Sequence, residues 1–198
     1  MVGLVAQIVN MLQRALQRTV VEEVTWRVLD YSTYRDKLGE NPLRVFIAHD
    51  LDDGPKAQEL YEKLKAKDYV KPWLSEENLT GISLHNIEEW EPPLWEALRE
   101  AECVIICFSH ESIRNRGYFK KKEIPFILEK AGGSTELSAY IVLVKLEECK
   151  IPRRYGKWDV AEVYTESGYE KLLDKMEKNI IELRIKRNIQ YNPRTHFK

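Results

Sequence analysis

The chain has 198 residues, 43% of them hydrophobic and 32% charged, with a formal net charge of −1. That length suits one domain of ordinary size plus an extension, and the balanced charge excludes a global field that would draw the chain to nucleic acid or to an anionic membrane. Cys103, Cys107 and Cys149 match no zinc spacing and are odd in number, and the four scattered histidines form no HExxH-type pair; we therefore expect no disulfide framework, no metal site and a cytoplasmic setting.

Val5, Ile8, Val9, Leu12, Leu16, Val20 and Val24 recur at three- and four-residue steps, which predicts an amphipathic helix over 2–26. Gln7, Asn10, Gln13, Arg14, Gln17 and Arg18 interrupt it too often for a membrane span, which needs about 20 mostly apolar residues. No basic residue precedes Arg14 and no small-residue cleavage site is evident, so the segment does not read as a signal peptide. Gly39 and Pro42 then place a boundary near residue 40. The expected organisation is an N-terminal helical extension over 1–40, a main domain over 41–185 and a basic tail over 186–198.

From residue 43 the pattern alternates. LRVFIA (43–48) reads as a buried strand, and residues 55–67 as a helix with Pro55 in its first turn. YVKPWL (69–74) is a weaker strand whose Pro72 suggests a sheet edge. Residues 86–101 form a helix that should begin irregularly at Pro92 and Pro93. CVIICFS (103–109) is a continuous apolar strand of the kind covered on both faces. Residues 118–132 form a helix that Pro125 should kink or shorten, with Gly132 as its cap. AYIVLVKL (139–146) is a fourth strand, WDVAEVY (158–164) a candidate fifth, and residues 168–188 a closing helix. Such alternation makes an α/β domain with a parallel sheet. Ligands bind such sheets beyond the carboxyl ends of the strands, here Ala48-His49-Asp50, Trp73-Leu74-Ser75 and Ser109-His110.

No GxGxxG follows the first strand, and neither GxxxxGK[ST] nor GxSxG occurs. The usual α/β chemistries are thus mostly excluded. What remains is the order RVFIAHDLDD, a helix, KPWLSEENLTG, an acidic segment with Trp90, REAECVIICFSHESIRNRGYFKKKEI, and YIVLVKLEECKIP. Over about residues 43–182 this order resembles a Toll/interleukin receptor (TIR) domain, particularly the stand-alone bacterial or archaeal type. Two stretches differ from the family's usual pattern. Ala48-His49-Asp50 stands where Ser-Tyr-Ser is common, and Ser75 follows Trp73-Leu74 where an acidic residue is usual.

The resemblance implies a flavodoxin-like three-layer sandwich with a central five-stranded parallel sheet. It implies cleavage of the nicotinamide–ribose bond of NAD+, giving ADP-ribose or a cyclic ADP-ribose signal, in prokaryotic antiphage defence. NAD+ is then substrate, and no cofactor is expected. The catalytic role falls on Glu123, with Ala48, His49, Asp50, Trp73, Leu74, Ser109 and Phe119 as substrate-binding candidates. A lone carboxylate suffices, because nicotinamide leaves as a neutral molecule without a general acid, and the developing oxocarbenium charge needs an anion.

Taken residue by residue, blander roles stand beside these. Glu123 could pair with Lys120, Lys121 or Lys122, which as neighbours should keep it ionised. Phe119 and Trp73 could simply pack, His49 could be a turn residue, and Ser109 and Ser112 could cap the next helix. The resemblance also implies self-association through residues 74–93. The N-terminal helix offers a second contact surface or packs on the domain. A separate effector or sensor partner is a further expectation; direct nucleic-acid and membrane contacts are not expected. The alternative function is a non-catalytic TIR adaptor or scaffold acting through self-association.

Overall fold

The computed structural model describes residues 31–79, 87–115, 117–133 and 139–191. The helix expected over 2–26, part of the acidic 74–93 loop and the tail beyond 191 lie outside the described residues.

Five parallel strands form one sheet: β1 (Leu43–Ala48), β2 (Val70–Trp73), β3 (Cys103–Phe108), β4 (Tyr140–Lys145) and β5 (Asp159–Glu162). Their spatial order is β2-β1-β3-β4-β5, the flavodoxin-like order, which reverses between β1 and β3 and opens a crevice there. Around the sheet lie α1 (Gly54–Lys65), α2 (Ser75–Asn78), α3 (Ile87–Glu100), α4 (His110–Arg114), α5 (Ile124–Gly133) and α6 (Glu166–Tyr191).

The period of two along a strand divides the core into two layers. Leu43, Val45 and Ile47 of β1 face one side, packing with Ala57, Leu60 and Leu64 of α1 and Leu172, Met176 and Ile180 of α6. Phe46 and Ala48 face the other, packing with Leu94 and Leu98 of α3 and Ile124 and Ile127 of α5. Every residue of β3 is buried, as its unbroken apolar run requires at the centre of a sandwich. β2 is an edge strand, where Pro72, lacking an N–H, is tolerated.

Two local expectations change. α3 runs from Ile87 to Glu100 straight through Pro92 and Pro93 instead of starting irregularly at them. The segment around Pro125 neither kinks nor shortens in the expected way. Phe119–Glu123 forms a π-helical turn in which Ile124 N–H bonds to Phe119 C=O, and the regular helix starts at Ile124. Pro125 therefore sits in a first turn, where its missing N–H costs least.

A buried ion pair ties α6 to the opposite, amino edge of the sheet. The Arg184 guanidinium donates to both oxygens of Glu102 at 2.6 and 2.7 Å, and to the carbonyls of Asn41 and Pro42 at 2.9 and 3.2 Å. Arg44 N–H also donates to Glu102 at 3.2 Å. Arg184 satisfies the chain just before β1 as well as the carboxylate, which suits a buried charge that must be fully bonded. Among the described residues no helix is long and apolar enough to cross a membrane.

Candidate functional site

The site lies at the carboxyl edge, around the crevice between β1 and β3. β1 ends at buried Ala48, and His49 and Asp50 follow it. Asp50 caps a short 3-10 turn over Leu51–Asp53, accepting from Asp52 N–H at 3.3 Å. β3 ends at Phe108, and Ser109 after it forms a reciprocal capping box with Ser112 at the start of α4. The Ser109 hydroxyl donates to Asp53 at 2.8 Å, and Asn115 Nδ2 donates to Asp50 at 2.9 Å. These bonds clamp the two loops together. They also occupy the buried carboxyls of Asp50 and Asp53, which would otherwise be costly.

α2 closes the site from the β2 side. Its Glu76 carboxylate accepts from His49 Nε2 at 2.9 Å and from the Ser75 hydroxyl at 2.7 Å. The other ring nitrogen, Nδ1, lies 2.8 Å from the Asp50 carbonyl oxygen. A carbonyl and an ionised carboxylate only accept, so both ring nitrogens carry protons and His49 is an imidazolium. Burial works against that charge, but the hydrogen bond and charge of Glu76 outweigh it and raise the His49 pKa. Burial likewise opposes ionisation of Glu76, and the His49 hydrogen bond and charge overcome it, drawing its pKa down to about 2.

Glu123 ends the π-helical turn and is 7% exposed. Among the described residues its carboxyl has no hydrogen-bond or ion-pair partner. Burial pushes its pKa up to about 8; His49 opposes the rise, and the negative charges of Glu76 and Asp50 add to it. The expectation that Lys120, Lys121 and Lys122 keep Glu123 ionised is therefore wrong. Lys120 Nζ donates to the Ile113 carbonyl, Lys122 Nζ lies over the Tyr118 ring at 5.8 Å, and Lys121 is exposed. The π turn directs the carboxyl inward, while Lys121 and Lys122 are exposed and the Lys120 ammonium is taken up by a backbone carbonyl.

The remaining candidates divide. Phe119, 4% exposed, packs into the layer that holds Phe108 and Ile124. Trp73 is half-buried and stacks on Phe46, with centroids 4.8 Å apart and planes 9° from parallel. Leu74 is wholly buried in the other layer, with α1 and α6, and Ala48 and Ser109 are wholly buried as well. The structure thus brings His49, Asp50 and Glu123 together, and gives Leu74, Ala48 and Ser109 packing and clamping contacts. Sequence reasoning missed Glu76, Asp53 and Asn115. Glu76 had a signal: it is the acidic residue expected after Trp73-Leu74, one position later. Asp53 and Asn115 had none, because their partners lie 56 and 65 residues away.

The start of α3, within the 74–93 segment, packs against Tyr118. The Tyr118 hydroxyl donates to Glu91 at 2.6 Å, and the Trp90 ring meets Tyr118 edge-on at 4.8 Å. A separate cleft of about 660 Å³, lined by His110, Lys145, Glu148, Cys149, Lys150, Glu162 and Tyr164, opens on the β4–β5 side and does not include Glu123.

A family model described as "TIR domain" matches residues 45–176, well over half of the chain. No curated protein matches. Among solved structures, the TIR domain of the Toll-related receptor TRR-2 from Hydra magnipapillata is similar at 15% identity and a TM-score of 0.41, covering 75% of this chain and 98% of that one. With the sheet order and the family match agreeing over the same residues, the chain belongs to the TIR-domain family.

Proposed function

We propose that this domain cleaves the nicotinamide–ribose bond of NAD+, with the Glu123 carboxylate facing the ribose. The observation that supports the reading most is Glu123 itself: a carboxyl 7% exposed, unpaired among the described residues, at the carboxyl edge beside the point where strand order reverses. A structural carboxyl so placed would be expected to carry a partner. In the reaction the C–N bond breaks with its electron pair leaving on nicotinamide. Glu123 stabilises the cationic ribose carbon through its charge. Water then adds, releasing a proton and ADP-ribose, or a nitrogen of the adenine adds and closes a ring. His49 and Asp50 lie where they can meet ribose or phosphate, and Trp73 is placed to border the base. Phe119 supports the turn from beneath. We place the domain in a prokaryotic defence protein, working in the cytoplasm and assembled through the 74–93 loop.

One observation favours a second reading, a non-catalytic adaptor. Glu123 is only 7% exposed, and Glu76 of α2 is bonded to His49 of the first loop. Nicotinamide release from NAD+ at high protein concentration separates the two. Release by wild type, reduced at least about 100-fold in Glu123→Gln, is the expected result. Equal release by both would remove Glu123 from the mechanism, and silence from assembled wild-type protein would favour the adaptor.

A further inference from the structure

The turn that carries Glu123 is bracketed by α3. Before it stands Tyr118, at the N-cap of the π turn, whose hydroxyl donates to Glu91 of α3 at 2.6 Å. A phenol bonded to a carboxylate makes a short, charge-assisted contact. The Tyr118 ring meets Trp90 of α3 edge-on, at 4.8 Å and 71°, and Lys122 Nζ lies over its face at 5.8 Å. After the turn stands Phe126 of α5, whose ring packs on Trp95 of α3 at 4.1 Å. α3 is itself fixed, because Leu94 and Leu98 are buried in the layer that holds Phe46, and Pro92 and Pro93 set the backbone next to Glu91. The entry to the turn is tied elsewhere. Asn115 Nδ2 donates to Asp50 at 2.9 Å while its Oδ1 accepts from Gly117 N–H at 3.1 Å, and Lys120 Nζ donates to the Ile113 carbonyl of α4.

We infer that Tyr118 is a positioning residue for Glu123: through its bond to Glu91 it fixes the π turn on α3 and holds the Glu123 carboxyl at the crevice. This rests on the reading of Glu123 as the reacting carboxylate. A buried carboxyl without a partner among the described residues is drawn towards water once it ionises, and the backbone has to resist that pull. The turn is closed by the bond from Ile124 N–H to Phe119 C=O, the weak point of a helix that widens for one turn only. A rigid neighbour gripping it on both sides supplies the resistance. The aromatic contacts are the packing half of that grip, and the Tyr118 hydroxyl is the half that fixes direction.

The hydroxyl can be removed without the ring. A reacting group displaced by about 1 Å loses about 10²-fold in rate. In Tyr118→Phe, kcat for nicotinamide release should therefore fall about 10- to 100-fold, with KM within about twofold, because the hydroxyl is bonded to protein and not to substrate. Glu91→Ala should match it, the double variant should lose no more than either single one, and Glu91→Gln, whose amide oxygen still accepts, should lose less. A second readout needs no turnover. The full chain is labelled at glutamate Cδ with ¹³C and titrated by NMR, and the Glu123 resonance is identified by its loss in Glu123→Gln. Burial holds the Glu123 midpoint up at about 8. Burial and the Glu91 bond raise the Tyr118 pKa, so Tyr118→Phe changes no charge over this range. A fall in the Glu123 midpoint by about one unit or more then reports a carboxyl released to water. A midpoint unmoved in both Tyr118→Phe and Glu91→Ala overturns the inference, even if wild type releases nicotinamide. So does a raised KM with kcat intact, which would put the hydroxyl on the substrate. A lowered midpoint with no release from wild type upholds the positioning and defeats the enzymatic reading instead. Tyr118 and Glu91 are both half-buried, so neither change opens a hole in the core; if Glu91→Ala does not fold, Tyr118→Phe decides alone.

Discussion

Glu123→Gln should make the protein more stable, and only at the alkaline end of its range. Burial raises the Glu123 pKa from an ordinary 4.5 to about 8. Below pH 4.5 the carboxyl is protonated in both folded and unfolded chains, and it contributes no pH dependence. Between 4.5 and 8 the unfolded chain gives up its proton while the folded one keeps it, so the unfolded state binds fewer protons and stability falls as pH rises. Above 8 both are ionised and the loss is complete. At about 1.4 kcal/mol per unit the full difference is about 5 kcal/mol, an upper bound because a small rearrangement that wets the carboxyl would reduce it. Against a total stability of about 5–15 kcal/mol, even half of that is large. Glutamine has nearly the same shape and no charge at any of these pH values. The two proteins should match within about 1 kcal/mol at pH 4.5. At pH 8.5 the variant should be about 2–5 kcal/mol more stable, equivalent to roughly 5–15 °C in Tm. Urea unfolding followed by tryptophan fluorescence at both pH values measures this, and titrations common to both proteins, such as that of Glu102, cancel in the difference. A difference that is the same at both pH values, or a variant less stable at pH 8.5, would refute the account of a desolvated, unpaired carboxyl.

Breaking the buried pair at the amino edge should do the reverse. Arg184→Ala leaves buried Glu102 with only the Arg44 backbone N–H at 3.2 Å and the Arg44 guanidinium at 3.8 Å, and should cost about 3–5 kcal/mol in urea unfolding at neutral pH. Replacing both partners with apolar side chains should recover most of that loss. The Glu102 pKa is lowered, with burial opposing and the Arg184 hydrogen bonds and charge prevailing. Its stabilisation is therefore present above the ordinary value near 4.5 and lost as pH falls through the lowered one, so the gap between wild type and Glu102→Gln should close on acidification. Gly168→Ala should destabilise the turn into α6, because a Cβ there would stand 2.0 Å from the Glu162 carbonyl oxygen. That atom is backbone at the end of β5 and cannot step aside, so we expect a loss of about 1–3 kcal/mol or more, read from thermal melts.

Much of the fold is legible in the sequence because strands here have two buried faces. CVIICF and YIVLVK are continuous apolar runs, Pro72 marks the edge strand, and Leu172, Met176 and Ile180 mark the buried stripe of α6. Helix interiors with proline were harder. Pro92 and Pro93 lie inside α3, and Pro125 is absorbed by a change of helical register, neither of which a local rule against proline foresees. The site was legible in outline only. Glu123 and His49 could be named as candidates, but the charge state of Glu123 could not. Three lysines beside it in sequence suggested an ionised carboxylate, whereas the charges that reach it belong to residues 47 to 74 positions away, brought together by the parallel sheet. Sequence neighbours on a helix are separated by about 100° of rotation, and that rotation puts the carboxyl inside while Lys121 and Lys122 are exposed.

The proline and the carboxyl explain each other. In an unbroken α-helix the residue at 125 would donate to the carbonyl of Lys121, and proline has no hydrogen to give. Widening the preceding turn to π geometry, with Ile124 N–H reaching back five residues to Phe119, moves the start of the regular helix to Ile124 and the proline into its first turn. A π turn takes more residues per turn than an α turn, so residues four apart come round to the same face, and it is often found at functional sites. Here Phe119 and Glu123 are both buried, while Lys121 and Lys122 between them are exposed and Lys120 is half-buried with its Nζ on the Ile113 carbonyl. The turn thus spends stability on holding a largely buried carboxyl with no partner among the described residues, where a neutral residue would fold better. A fold that keeps so costly a group at the carboxyl edge, beside the point where strand order reverses, holds it there by the geometry of the turn and not by a charged partner among the described residues.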